Sequence, residues 1–167
     1  MKKIKDLVMK HKFITVILVL SIIKQIMVSC LPLLAISNGT HDDLMMVNMA
    51  DNLLNGHWLG IYSQYTLVKG IFFPAFLALA NFIGISYINA ANLLYTFACI
   101  FFIYAIKDFF KEKNQKKFML IIFIILLFNP VSYASWTLQR VYRNGVTLAQ
   151  VLFIFGGYFA VFLKREE

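Results

Sequence analysis

Two carboxylates stand side by side in ISNGTHDDLMM, at Asp42 and Asp43, in a chain with only 8 acidic residues. A carboxylate within hydrogen-bond reach of a hydroxyl can take its proton as a general base. Complementary charge is available from Lys69, Arg140 and Arg143. Arginine presents a planar donor fork that suits phosphate, and fixed cations stabilise charge that develops on a leaving group. Two carboxylates and three cations could therefore hold an anionic headgroup beside a base. Plainer roles compete with this one. Thr40 can serve as a helix N-cap, and Asp43, three residues on, can complete an acidic version of the capping box. Arg140 and Arg143 could simply touch lipid phosphates. Asp42 sits in the same first turn, where the helix dipole favours a carboxylate, but the sequence offers it no local partner.

Other candidates carry less. His41 beside Asp42 could join a metal site, so a divalent ion is an open alternative to a site with no cofactor. His57 lies near no His, Cys or Asp cluster at ligand spacing. Cys30 and Cys99 both fall inside apolar segments, with neither metal spacing nor a disulfide framework, and read as small buried hydrophobes. Lys24 lies near the middle of the first apolar segment. A charge there costs about 2.5–3.5 kcal/mol on insertion scales and usually faces a bundle interior or a cavity. Asn38-Gly39-Thr40 matches a glycosylation sequon, but Asn-Gly is also a turn signal.

The elements that must position these residues are membrane helices. The chain has 167 residues, is 60% hydrophobic and only 14% charged, and contains 17 Phe. A soluble domain is about 45–50% apolar and about 25% charged, so both deviations point to lipid. The net charge of +8 does not indicate nucleic acid, because the lysines flank apolar runs and no nucleic-acid motif is present. Lysine in that position marks cytoplasmic ends.

The fold class expected is all-α and integral to the membrane. Four transmembrane helices are placed at about 13–35, 87–106, 118–134 and 146–163. The start, MKKIKDLVMKHKF, resembles the basic part of a signal peptide, but Lys24 and Gln25 interrupt the apolar run and no cleavage site follows, so a retained signal anchor fits better. Lysines at 2, 3, 5, 10 and 12 place the N-terminus in the cytoplasm. Those at 107, 111, 113, 116 and 117 form a second cytoplasmic loop, and Lys164 with Arg165 puts the C-terminus on the same side. The stretch IFFPAFLALANFIG is about 14 residues, roughly 21 Å as a helix, which is short of a bilayer core of about 30 Å. It reads as a short interfacial or re-entrant helix, about 71–84, in the first outer loop. THDDLMMVNMADNLLNG reads as an amphipathic juxtamembrane helix, about 41–55. Its stripe is Met46, Met49, Ala50, Leu53 and Leu54, it ends at Gly56, and it should lie in the membrane interface.

In order, HDDLMMVNMADNLLNGHWLGIY, TLVKG, FPAFLALANFIGIS and a full span resemble the start of the GT-C membrane glycosyltransferases. The nearest likeness is to relatives of protein mannosyltransferases and of lipid A aminoarabinose transferase. Ala50, Leu53, Gly56 and Trp58 follow the family's A-x-x-L-x-x-G-x-W order. Lys69 stands where the family's lysine would, and Pro74 comes slightly late. The resemblance covers roughly residues 13–163 and implies a polyprenyl-phosphate-linked sugar as donor, used on the outer face with inversion. It implies that Asp42 is the general base, with Asp43 as rival, that Lys69 binds the phosphate, and that Arg140 and Arg143 assist. The family's members are several times longer. The chain is therefore expected to be the N-terminal part of such an enzyme, or a shortened relative completed by a membrane partner, and whether it is an enzyme by itself stays open.

Two readings from other classes compete. One is a non-catalytic four-span subunit or scaffold of a larger complex. The other is a piece of a channel or transporter that uses Lys24 and the outer acids, although pores usually show several intramembrane ionisable groups. Besides lipids, the partners expected are the sugar-lipid donor and a second membrane protein, with no nucleic acid. The location expected is the cell membrane.

Overall fold

The computed structural model describes residues 12–34, 40–61, 70–133 and 136–163. Lys69, the first eleven residues, Tyr62, Tyr65, Lys164 and Arg165 lie outside the described residues. The described chain is helical: α1 Lys12–Ser29, α2 Thr40–Leu54, α3 Phe72–Phe82, α4 Tyr87–Ala105, α5 Glu112–Leu127, a short α6 Trp136–Gln139 and α7 Asn144–Leu163, with single 3-10 turns at Lys107–Phe109 and Pro130–Ser132.

Three helices have the length and composition of membrane spans: α1, α4 and α7. At 18, 19 and 20 residues they measure roughly 27–30 Å, close to the hydrocarbon thickness. The expected third span differs. Its helix, α5, starts at Glu112 and stops at Leu127, whereas the apolar stretch suggested 118–134. Only the run FMLIIFIILL is apolar, about 15 Å of helix. Pro130 explains the stop, because it disfavours helical backbone at the preceding residue and lacks an N–H. Asn129 is extended, and its side chain accepts from Val131 N–H at 2.9 Å. Among the described residues three helices, not the four expected, are long and apolar enough to span by themselves. Pro32 acts similarly at the first span: α1 ends at Ser29 rather than near residue 35. One residue later Cys30 is exposed, which corrects its reading as a buried hydrophobe, while Cys99 is buried as expected.

Helices α4 and α7 form the largest contact in the bundle and run parallel. Phe97 and Phe101 meet Phe153, Phe102 meets Phe159, and Phe109 also reaches Phe159. Close approach needs small residues, and α7 supplies Gly156, whose Cα lies against the Phe101 ring. Helix α5 runs the other way beside α4, with Gln115 bonded to the Lys107 carbonyl at one end and Tyr95 Oη bonded to the Leu126 carbonyl at 2.6 Å at the other. Helix α1 packs against α4 and α5. Its Gln25 donates to Asn89 at 2.8 Å and accepts from Asn92 at 2.6 Å, a pair of interhelical amide bonds of the kind that fixes register in lipid.

The amphipathic helix was legible, but its apolar stripe packs on protein. Met46, Met49 and Ala50 are buried, and α2 lies along α3. Val28, Phe73, Leu77, Tyr87, Ile88 and Leu138 share the Met46–Ala50 core. Leu54, expected in the stripe, is exposed, together with Leu44 and Val47 on the opposite face. Both α2 and α3 end in the same way. Gly56 and Gly84 take positive φ, at 75° and 73°. His57 N–H bonds the Asn52 carbonyl and Ile85 N–H the Ala80 carbonyl, six residues closed to one, while each glycine bonds the carbonyl three residues back. This is the Schellman arrangement, for which glycine carries no Cβ penalty.

Candidate functional site

The site forms where four segments meet at one end of the bundle: the chain after α1, the start of α2, the start of α4, and residues 139–143. Leu34 pairs with Arg140 in an isolated parallel bridge. Leu34 N–H donates to the Gln139 carbonyl at 3.0 Å, and Gln139 Nε2 donates to the Pro32 carbonyl at 3.1 Å. Tyr87 Oη, at the first residue of α4, donates to the Tyr142 carbonyl at 3.1 Å. Three bonds, two to the chain after α1 and one to the start of α4, thus fix the segment that carries Arg140.

Arg140 then reaches Asp43. Its Nε lies 2.8 Å from Oδ2 and 3.1 Å from Oδ1, and its terminal nitrogen lies 2.7 Å from Oδ1. Both oxygens are engaged by one fork, the strongest form of carboxylate pairing. The side chains are 21% and 18% exposed, so the pair is partly desolvated. Its hydrogen bonds to Asp43 hold the Arg140 guanidinium even more firmly protonated than usual. The sequence offered Asp43 a bond within its own helix; the structure gives its carboxylate a partner 97 residues away.

Asp42 is placed differently. It is exposed, and its Oδ2 lies 3.5 Å from the Tyr142 hydroxyl, at the outer limit of a hydrogen bond. The two adjacent carboxylates thus differ: Asp43 is gripped by the Arg140 fork, while Asp42 is exposed, lies by the Tyr142 hydroxyl and interacts with Arg140 through charge. Both occupy the first turn of α2, where the helix dipole favours negative charge. Tyr142 also lies under both arginines, with Arg140 Cζ 4.7 Å and Arg143 Cζ 5.6 Å from its ring centroid. Arg143 is exposed.

Of the five residues singled out in the sequence, four are thereby brought to one place: Asp42, Asp43, Arg140 and Arg143. Lys69 lies outside the described residues. Tyr142 was missed, although its signal is present: an aromatic between two arginines in RVYR is a stacking pattern. Asp51 was missed as well. With Asn81 and Ser86 it lines a cleft of about 280 Å³ between α2, α3 and the start of α4, closed by Val141 beside Arg140. His57 takes part in the α2 end through its backbone. Among the described residues, no group of three or more His, Cys, Asp or Glu gathers as a metal site.

Lys24 is held apart from this site, inside the bundle. It is fully buried and donates to Ser132 Oγ at 3.1 Å. Ser132 Oγ in turn lies 2.7 Å from the Asn129 carbonyl and 3.2 Å from that of Leu127. The ammonium therefore meets the C-terminal end of α5 through Ser132, where the dipole favours a cation. The rings of Tyr133 and Phe128 flank it at 5.1 and 5.9 Å.

Fold and site together define the class: an all-helical membrane protein with an acidic helix start clamped by an arginine segment at one end of its bundle. No family model, curated protein or solved structure matches the chain.

Proposed function

We propose that this chain builds part of a GT-C-type glycosyl transfer site on the outer face of a membrane. The observation that carries the reading is the division of labour in the acid pair: Asp43 is gripped by the Arg140 fork, while Asp42 is exposed, lies 3.5 Å from the Tyr142 hydroxyl and interacts with Arg140 through charge. In the reaction, the Asp42 carboxylate takes the proton of an acceptor hydroxyl as its oxygen attacks the anomeric carbon of the sugar. The bond from that carbon to the donor phosphate breaks, the phosphate leaves with the electron pair, and the configuration inverts. Arg143 and Lys69 stabilise the departing phosphate, and Arg140 serves by fixing Asp43 and the α2 start. A divalent ion held by His41 and Asp42 is the alternative way to meet the phosphate.

The proposed topology follows the lysines: both termini cytoplasmic, the Asp42 end outside, the location a cell membrane. Parallel packing of α4 and α7 supports a return crossing between them, made by α5 together with the stretch 128–133. Irregular backbone at membrane depth is tolerated where protein buries it, and Ser132 is 4% exposed. Helices α2 and α3 would then lie against the outer surface, with the exposed Leu44 towards lipid.

The test is sugar transfer from a polyprenyl-phosphate donor in membranes that carry the wild type or Asp42→Asn. Loss of transfer with unchanged insertion supports the assignment, and full transfer by Asp42→Asn removes it. A non-catalytic subunit is the second reading, favoured by the Arg140–Asp43 clamp, which serves to fasten two segments whether or not chemistry follows. Under it Asp42→Asn is silent and a second membrane protein co-purifies.

A further inference from the structure

The opposite end of the bundle carries a groove of about 660 Å³ between the start of α1 and the first half of α5. Its depth is apolar: Phe13, Ile14 and Val16 of α1 face Met119 and Leu120 of α5. Its mouth holds four lysines, Lys12, Lys107, Lys116 and Lys117. They come from three separate segments, which converge on one opening. No carboxylate lines it among the described residues, although Asp108 and Glu112 lie nearby in sequence. Surface lysines ordinarily alternate with acids, and here four face one apolar slot.

We propose that this groove binds one anionic phospholipid. The phosphate sits among Lys12, Lys107, Lys116 and Lys117, and the acyl chains run along Ile14, Val16, Met119 and Leu120. Two features point to a lipid and not to a free anion. The charge sits at one end only, and the apolar walls descend from it into the bundle, which matches a headgroup with tails. Gln115 is tied to the Lys107 carbonyl at 2.9 Å, which fixes the loop that presents Lys107. Basic pockets between membrane helices recognise anionic headgroups in this way. The site is independent of the Asp42 end and of any transfer reaction.

The experiment uses the full chain in detergent, with lipid adducts counted by native mass spectrometry. Phosphatidylglycerol is compared with phosphatidylethanolamine of the same acyl chains, and with sodium phosphate. One retained phosphatidylglycerol is expected, with much weaker retention of the other two. Lys107→Gln/Lys116→Gln should weaken it about 25-fold, at about fivefold for each lysine near an anionic headgroup. Lys111→Gln/Lys113→Gln removes the same charge from the same loop outside the groove and should change it little. Leu120→Trp keeps every charge but narrows the apolar wall, and should also weaken lipid retention. Equal loss in the two lysine pairs, equal retention of phosphatidylethanolamine, or undiminished retention by Leu120→Trp each overturns the proposal. A thermal melt of every variant checks that the bundle persists.

Discussion

Arg140 holds Asp43 through two nitrogens and both carboxylate oxygens, and so ties the start of α2 to the segment that enters α7. The pair is about one-fifth exposed on each side. Exposed pairs contribute about 0–1 kcal/mol, and two-pronged geometry with partial burial favours the upper end. A double-mutant cycle with Arg140→Gln and Asp43→Asn should return a coupling of about 1 kcal/mol in thermal unfolding. Arg140→Lys should recover less than half of it, since an ammonium cannot present the fork. Zero coupling would reduce the clamp to a passive contact.

The pH dependence of that clamp follows from the direction of the Arg140 shift. A cation whose folded pKa is raised adds stability that is fully present below its unfolded pKa and is lost only as pH rises through the folded one. For a guanidinium that window lies in strong alkali. The cost of Arg140→Gln should therefore be the same at about pH 7 and about pH 9. Unfolding measured at both pH values checks this, and a marked difference would mean that another group supplies the charge.

The two aspartates should separate in assay. Asp43→Asn breaks the clamp and should lower the unfolding temperature more than Asp42→Asn, which loses about 0.3–1 kcal/mol of helix-dipole interaction. Under the transferase reading, Asp42→Asn should lower transfer by at least about 100-fold, the range of a lost general base. A matched pair of melts and transfer assays reads both. If Asp43→Asn is the variant that keeps stability and loses transfer, the assignments must be exchanged.

Gly156 sets the approach of α7 to α4. A Cβ there would lie 2.8 Å from Phe101 Cε1 and 3.5 Å from the Phe102 backbone. Gly156→Val must push the ring aside and should destabilise by about 1–3 kcal/mol, the usual range for overpacking. Phe101→Leu should restore part of the loss in the double variant. Failure of that rescue would put the strain on the Phe102 backbone instead.

Much of the frame was legible because lipid imposes simple rules. Helices α4 and α7 fall within two residues of their apolar runs, and Gly56 announced the end of α2. What sequence could not give was pairing at long range. The period of α2 picked out Met46, Met49 and Ala50, but a stripe that meets protein reads like one that meets lipid. Asp43 looked like a cap because Thr40 is local, and Arg140 is nearly a hundred residues on. The end of α5 was misplaced because the weight of ten apolar residues hid Asn129-Pro130. Lys24 and Ser132 explain each other only once that break is seen.

Lys24 gives the sharpest discrimination among the readings. It is fully buried, and its charge is met by Ser132, by the end of α5 and by two rings. If this role is structural, an apolar chain of similar length can replace it. Ser132 keeps the Asn129 carbonyl as its acceptor in that case, so no polar group is stranded. Lys24→Met should then be neutral or mildly stabilising, as often happens when a buried charge gives way to a packed hydrophobe. Lys24→Glu should cost about 2–4 kcal/mol, because a carboxylate would face the negative end of α5 with no donor to spare. Unfolding of both variants in detergent, with ion flux measured in liposomes, decides the matter. Stable Lys24→Met without altered flux makes Lys24 a replaceable filler of the bundle at the α5 break, and altered flux with an intact fold would revive the channel reading.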